Sequence, residues 1–253
     1  MNHPALAVIV PAFNEARRLT DNLLTLLSYL QTFRPNAELI VIDDGSTDGT
    51  AEVAEKLFVR RPDVAARVLR FPQNHGKGHA VRAGLLAAEA PIALFSDADL
   101  STPITELPKL VDPIEAGDYD LTLGSRALDR SLIGQRQPWR REQGGKIFNA
   151  IVRLATGLPF ADTQCGFKAF RMEVARPIIE QGQIDGFGFD VELLFLAERA
   201  GMRMLEVPVR WDHHEGSKVH IVRDSLRMLQ EVVSLRRRLT RASSPSVAAE
   251  VPR

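Results

Sequence analysis

Short apolar runs alternate with helical periods over the first half of the chain. Leu6-Ala7-Val8-Ile9-Val10 is a continuous apolar run ending at Pro11, the pattern of a strand buried on both faces. Between residues 15 and 30, leucines at 19, 23, 26 or 27, and 30 recur in steps of three and four and mark one face of a helix. Residues 38–42 predict a second strand, stopped by Asp43-Asp44-Gly45. Ser46-Thr47-Asp48 then offer N-cap chemistry to a helix carrying Val53, Leu57 and Phe58. Strands over 67–71, 92–95 and 121–123 follow, with helices over 77–89 and 104–115 between them.

This order predicts an α/β protein with a mostly parallel sheet and helices on both faces. Ligands of such sheets sit beyond the carboxyl ends of the strands. Those ends carry Pro11-Ala12-Phe13-Asn14-Glu15, Asp43-Asp44-Gly45-Ser46 and Asp97-Ala98-Asp99, so chemistry is expected on one edge.

After Arg126 the regularity weakens. Residues 131–141 are polar and read as a mobile loop, and 145–156 as a helix with Ile147, Ile151 and Leu154 on one side. A loop over 162–171 leads into a strand, followed by a helix over 189–200 and a strand over 204–209. A last helix is expected over 219–238, with Val222, Leu226, Leu229 and Val233 in register. The segment 242–253, rich in Ser, Ala and Pro, reads as a disordered tail. Nothing repeats internally and no interior linker interrupts the pattern, so one domain with a C-terminal extension is expected.

Composition narrows the class. With 253 residues, 45% apolar and 25% charged, the chain suits a soluble globular protein and excludes collagen-like or wholly disordered ones. Its 32 basic and 32 acidic residues cancel, which gives no bulk field for nucleic acid. The single cysteine, Cys165, cannot form an intrachain disulfide, fits a reducing compartment and reads as a small buried hydrophobe. No run approaches the ~20 apolar residues of a membrane span, and the N-terminus lacks signal-peptide character. A cytoplasmic protein is expected.

Two carboxylates two residues apart at a strand end, Asp97 and Asp99, can share a hard cation such as Mg²⁺ or Mn²⁺ and leave sites open for phosphate oxygens; the same triplet would also serve as a turn and cap. Asp43 or Asp44 could accept hydrogen bonds from a ribose or a base imide, or simply form a turn. Neither a Gly-x-Gly-x-x-Gly nor a P-loop is present. Asn74-His75-Gly76-Lys77-Gly78 combines close backbone approach, a point charge and a helix N-terminus, all suited to an anion. Arg126 could pair with a phosphate. Of His213-His214, at most one would face a given ion. The last helix carries Arg223, Arg227, Arg236, Arg237, Arg238 and Arg241 against Asp224 and Glu231, so it could lie on an anionic bilayer or pack on the core.

Taken together, Val10-Pro11-Ala12-Phe13-Asn14-Glu15, the segment from Val41 to Asp48 and Asp97-Ala98-Asp99 resemble the inverting, nucleotide-sugar-dependent glycosyltransferases of family 2, which have the GT-A fold. Asp162-Thr163-Gln164-Cys165-Gly166-Phe167-Lys168, Phe189-Asp190-Val191-Glu192-Leu193-Leu194 and Glu215-Gly216-Ser217-Lys218 resemble the dolichyl-phosphate β-glucosyltransferase group, with polyprenyl-phosphate mannose synthases as near relatives. The resemblance spans roughly residues 5–235. It implies a GT-A domain over 1–241, with a nucleotide half to about 126, an acceptor half over 127–218 and an amphipathic helix over 219–241.

By the same resemblance, Pro11, Ala12, Phe13 and Glu15 line the nucleotide pocket, Asp43 or Asp44 contacts uracil or ribose, and Gly76 and Lys77 lie beside the nucleotide. Asp97 sits near sugar and ribose, Asp99 holds Mg²⁺ or Mn²⁺ on the diphosphate, and Arg126 compensates phosphate charge. The mannose synthases often carry Gln where this chain has Ser101. The implied reaction is transfer of glucose from UDP-glucose to a polyprenyl or dolichyl phosphate, with peripheral membrane contact. Mannose from GDP-mannose or a soluble hydroxyl acceptor are the alternatives, and a hydroxyl would need a base such as Asp162, Asp190 or Glu192. Two other classes are a haloacid-dehalogenase-like phosphatase acting through Asp97 and a non-catalytic nucleotide-sugar binder.

Overall fold

The computed structural model describes residues 3–135, 137, 139–213 and positions 227, 228, 230, 231, 234 and 235. The expected motif at 215–218, His214, most of the helix over 219–241 and the tail over 242–253 lie outside the described residues.

Among the described residues, seven strands form one sheet in the order β3-β2-β1-β4-β6-β5-β7. These are β1 (Leu6–Ala12), β2 (Ala37–Asp43), β3 (Ala65–Arg70), β4 (Ile92–Ser96), β5 (Leu121–Ser125), β6 (Phe167–Arg171) and β7 (Met204–Pro208). β1 runs parallel to β2 and β4, β2 to β3, and β5 to β7; β6 lies antiparallel between β4 and β5. The predicted mostly parallel sheet is present.

Alternate residues of β1 serve opposite layers, because side chains of a strand point to opposite faces. Ala7 and Ile9 join a core with α3 (Lys77–Ala87), α6 (Met172–Gln181) and α7 (Phe189–Arg199). Leu6, Val8 and Val10 join the other with α1 (Ala16–Phe33) and α4 (Leu107–Glu115). On α1, Leu19, Leu23, Leu26, Leu27 and Leu30 are all buried, so the period of the leucines is the stripe that packs; each contributes about 1.5–3 kcal/mol of transfer free energy. α3 lies so close to the sheet that a Cβ on Gly84 would collide with Ile9 and come within 2.9 Å of Ile42.

Several expectations shift. α2 (Thr50–Arg60) is preceded by Gly49 at φ +85°, not capped at residue 46 or 47. Asp48 instead accepts the Thr50 N–H at 3.1 Å and, across the loop, the Ala16 N–H that opens α1. α5 (Trp139–Thr156) starts six residues before Gly145, running through Gly144 and Gly145. Residues 131–135, expected as mobile, lie along 211–213: Ile133 bridges Trp211, and Gln135 N–H donates to Asp212 Oδ1 at 2.9 Å. α6 has no counterpart in the sequence pattern described above.

Candidate active site

The carboxyl ends of β1, β2 and β4 carry the acidic tips together. Two non-glycine residues there adopt left-handed backbone, Asn14 at φ +53° and Leu100 at φ +50°. Such residues cost of order 1 kcal/mol each and cluster at functional loops. Asn14 is fixed by a bond from its own N–H to Ser46 Oγ at 2.8 Å and by its Oδ1 accepting Thr47 N–H at 2.9 Å. The Asp97–Leu100 turn is fixed by Leu100 N–H to Asp97 O at 3.1 Å and by Ser101 N–H to Asp99 Oδ1 at 3.0 Å. Asn22 of α1 holds the same turn through Ala98 O at 2.7 Å.

Lys77, the first residue of α3, places its ammonium 2.6 Å from Asp97 Oδ1. Burial alone would lower the Lys77 pKa, but Asp97 and Asp190 outweigh it and hold the ammonium above the ordinary lysine value. Burial, with Asp99 and Asp190 nearby, raises the Asp97 carboxyl despite Lys77. Asp97 leans against Gly166, whose N-terminal neighbour is Cys165: a Cβ there would collide with the Asp97 carboxylate. Gly166 O also accepts the Asp97 N–H at 3.1 Å. The glycine of the Cys165-Gly166-Phe167 motif is therefore a clearance for the Asp97 side chain.

Behind this edge the charges alternate in sign. Lys168, fully buried on antiparallel β6, donates to Asp190 Oδ1 at 2.5 Å and to Cys165 O at 2.6 Å, with Phe95 below the ammonium. Arg126, at the end of β5, is gripped by Asp162 through Nε at 2.6 Å, Nη2 at 2.7 Å and its own backbone N–H at 3.0 Å. Burial would raise Asp162, but Arg126 outweighs it and keeps the carboxyl below the ordinary range. Glu206 of β7 in turn fixes the Asp162 segment by accepting Ala161 and Asp162 N–H at 2.8 and 2.7 Å. The Cys165 thiol is pushed up to about 11 by burial and the nearby Asp162, so it is no nucleophile at neutral pH.

The structure thus gathers Asp97, Asp99, Lys77, Asp190 and Arg126, and it gives each of the three candidate bases a partner. Asp162 is Arg126's clamp, with a further bond from Gln164 N–H at 3.2 Å. Glu192 accepts Gln183 and Ile184 N–H at 2.9 and 2.7 Å and shapes the loop before α7. Asp190 is committed to Lys168. None of the three stands as an uncommitted carboxylate. Asp44 differs as well: its carboxylate accepts hydrogen bonds from Asn74, His75 and Gly76, whereas Asp43 gives one oxygen to Ser46 N–H at 3.1 Å.

Arg18 is a further residue of this edge, marked by no motif in the sequence. It pairs with Glu15 on the first turn of α1, Nη2 to Oε1 at 2.9 Å, and its charge lies near Asp97 and Asp99. The available signal was its place three residues after Glu15 on a helix that begins at the site edge. His213 is brought near as well, since Asp212 N–H donates to Ser101 O at 2.8 Å. Among the described residues no group of three or more His, Cys, Asp and Glu could by itself hold a metal ion.

The profile of Glycosyl transferase family 2 matches residues 7–179. The chain belongs to glycosyl transferase family 2. It is a glycosyltransferase, as the resemblance of its strand-end motifs implied. Similar family 2 proteins include the dolichyl-phosphate β-glucosyltransferases of Drosophila melanogaster (39% identical over 85% of this chain and 69% of that one), Dictyostelium discoideum (35%, 91% and 73%) and Homo sapiens (34%, 92% and 75%). Among solved structures, mannosyl-3-phosphoglycerate synthase from Rubrobacter xylanophilus superposes with a TM-score of 0.68 at 18% identity, covering 98% of this chain and 78% of that one. Glucosyl-3-phosphoglycerate synthase from Mycobacterium tuberculosis, solved with Mn²⁺, UDP and glucosyl-3-phosphoglycerate, gives 0.64 at 24%, covering 98% and 83%. These two show the fold, a GT-A sheet with helices on both faces.

Proposed function

We propose that this family 2 enzyme transfers glucose from UDP-glucose to a polyprenyl or dolichyl phosphate, giving a β-glucosyl phosphate lipid. The observation that carries the acceptor class is the commitment of Asp162, Asp190 and Glu192 to Arg126, Lys168 and backbone N–H groups. A sugar hydroxyl needs a general base to attack, whereas a phosphate monoester is already anionic at neutral pH. The names of the curated relatives support the same acceptor and sugar.

In this reading the nucleoside rests against Pro11, Ala12, Phe13, Glu15 and Asp43, with Gly76 and Lys77 beside it. Asp97 faces the sugar and ribose. The carboxylate of Asp99 is a hard oxygen donor on a turn held by Ser101 N–H, which suits Mg²⁺ or Mn²⁺ with phosphate oxygens completing the shell. When bound, the ion neutralises charge on the departing diphosphate. Lys77 and Arg18 add positive charge on the same edge, and Arg126, held rigid by Asp162, meets the acceptor or leaving phosphate.

Membrane contact belongs to the same proposal. No helix among the described residues is long and apolar enough to cross a bilayer. On α5, however, Trp139, Ile147, Ile151 and Leu154 are exposed, at 71, 62, 38 and 86%. Ile147, Ile151 and Leu154 form one stripe at helical spacing, turned outward while Phe148 and Val152 face the core. With Arg153 exposed between them, this face suits peripheral seating on an anionic bilayer at the cytoplasmic side. The test is an incubation of the enzyme with UDP-glucose or GDP-mannose, a polyprenyl phosphate or soluble hydroxyl acceptors, and Mg²⁺ or Mn²⁺, with products read by mass. A hexosyl phosphate lipid from UDP-glucose supports the proposal. Exclusive use of GDP-mannose overturns the sugar, and transfer only to soluble hydroxyls overturns the acceptor.

A further inference from the structure

We infer that Asp44 is a positioning residue for Lys77, acting through the loop that leads into α3 and not by touching the nucleoside. Asp44 follows β2, is 3% exposed, and is tied to the end of β1 by its N–H bond to Ala12 O at 2.9 Å. Both of its carboxylate oxygens are spent on one segment. Oδ1 accepts His75 N–H at 3.0 Å, and Oδ2 accepts Gly76 N–H at 2.8 Å and Asn74 Nδ2 at 2.8 Å. The donors belong to three consecutive residues, and the next in the chain is Lys77.

Hydrogen bonds of N–H groups to an ionised carboxylate are about twice as strong as neutral ones. Three of them converging on one buried side chain set the backbone of this segment. Two glycines show how closely it is held. A Cβ on Gly45, at φ +74°, would collide with the Gln73 backbone, and one on Gly76, at φ +115°, with Asp185 O. Asp185 O also accepts Gly78 N–H at 2.8 Å. The loop is clamped between Asp44 on one side and the 184–186 backbone on the other, and the Lys77 ammonium emerges from the clamp 2.6 Å from Asp97. An acidic residue at the end of the second strand, expected to face ribose or base, is here the socket of the lysine loop.

The inference is independent of which sugar or acceptor is used; it rests only on Lys77 serving the nucleotide. The test is a double-mutant cycle of Asp44→Asn and Lys77→Met, measured as the Kd of UDP, with GDP in parallel, in the presence of Mn²⁺. Uridine is titrated as a probe lacking phosphate, and melting temperatures are recorded. Lys77→Met is expected to weaken diphosphate binding about tenfold or more, about 1.4 kcal/mol or more. Asp44→Asn should weaken it by a similar factor, and the double variant should match Lys77→Met within about twofold, because the residues act as one unit. Uridine affinity should be unchanged in Asp44→Asn. The inference is overturned if the two losses multiply in the double variant, or if Asp44→Asn loses uridine affinity, which marks a direct nucleoside contact. If Asp44→Asn fails to fold, Asn74→Ala, which removes one of the three donors, takes its place in the cycle with the same expectations. Failure of the wild-type protein to bind either diphosphate would overturn the nucleotide reading, and this inference with it.

Discussion

Replacing Asp162 by alanine strips the acceptor from Arg126 Nε, Nη2 and N–H and from Gln164 N–H at once. The Asp162 side chain is 8% exposed and that of Arg126 31%, so the guanidinium left behind keeps some access to water. Removing one partner of a buried pair costs about 3–5 kcal/mol, and this access puts the expected loss at the lower end, about 3 kcal/mol. For a chain of this size each kcal/mol moves Tm by about 2–4 °C, which gives a fall of about 6–12 °C. The pH dependence has a definite sign. Burial would raise the Asp162 carboxyl, but Arg126 holds it below the ordinary value of 3.8. The stabilisation is therefore fully present above that value and is lost as pH falls through the lower folded value. Thermal melts of wild type and Asp162→Ala at a series of pH values should show a constant gap near neutrality that closes only below about pH 4. A gap under about 2 °C, or one that stays constant into strong acid, would refute the assignment of Asp162 as Arg126's charge partner.

Other outcomes follow from the same geometry. Asp99→Ala should reduce divalent-ion-dependent turnover by about a hundredfold or more while leaving the melting temperature within about 2 °C, checked by titrating Mn²⁺ against rate. Gly166→Ala places a methyl group against the Asp97 carboxylate, so it should abolish most turnover and cost about 1–3 kcal/mol in urea unfolding. Replacing Ile147, Ile151 and Leu154 together by serine should leave stability nearly unchanged, since all three are exposed, yet reduce flotation with vesicles containing anionic lipid; undiminished flotation would remove α5 from the membrane face.

Much of the nucleotide half was legible in the sequence because its signals are local. The apolar run at the first strand, the leucine period on α1 and the acidic tips at strand ends each depend on neighbours within a few residues, and a parallel sheet brings such tips to one edge by topology alone. What failed to show depends on distant partners. Asp162 read as a free carboxylate because Arg126 is 36 residues away in the chain. Glu192 read as a candidate base because the backbone donors it serves are made available only by the fold of the 182–186 loop. Arg18 carried no motif of its own and acquires meaning only when α1 is laid against the Asp97 turn. On α5 the sequence marked Ile147, Ile151 and Leu154 as one side of a helix but not which way that side points, since periodicity defines a face without naming what covers it. The helix expected from residue 145 begins at Trp139, because a glycine inside a helix costs only about 1 kcal/mol, which tertiary packing outweighs.

A crystal structure of the complex with UDP and Mn²⁺ should show the ion on the Asp99 carboxylate, the diphosphate beside Lys77 and the uracil against Asp43, all beyond the carboxyl ends of β1, β2 and β4. A diphosphate bound away from that edge, or an ion held by other residues with Asp99 untouched, would contradict this placement.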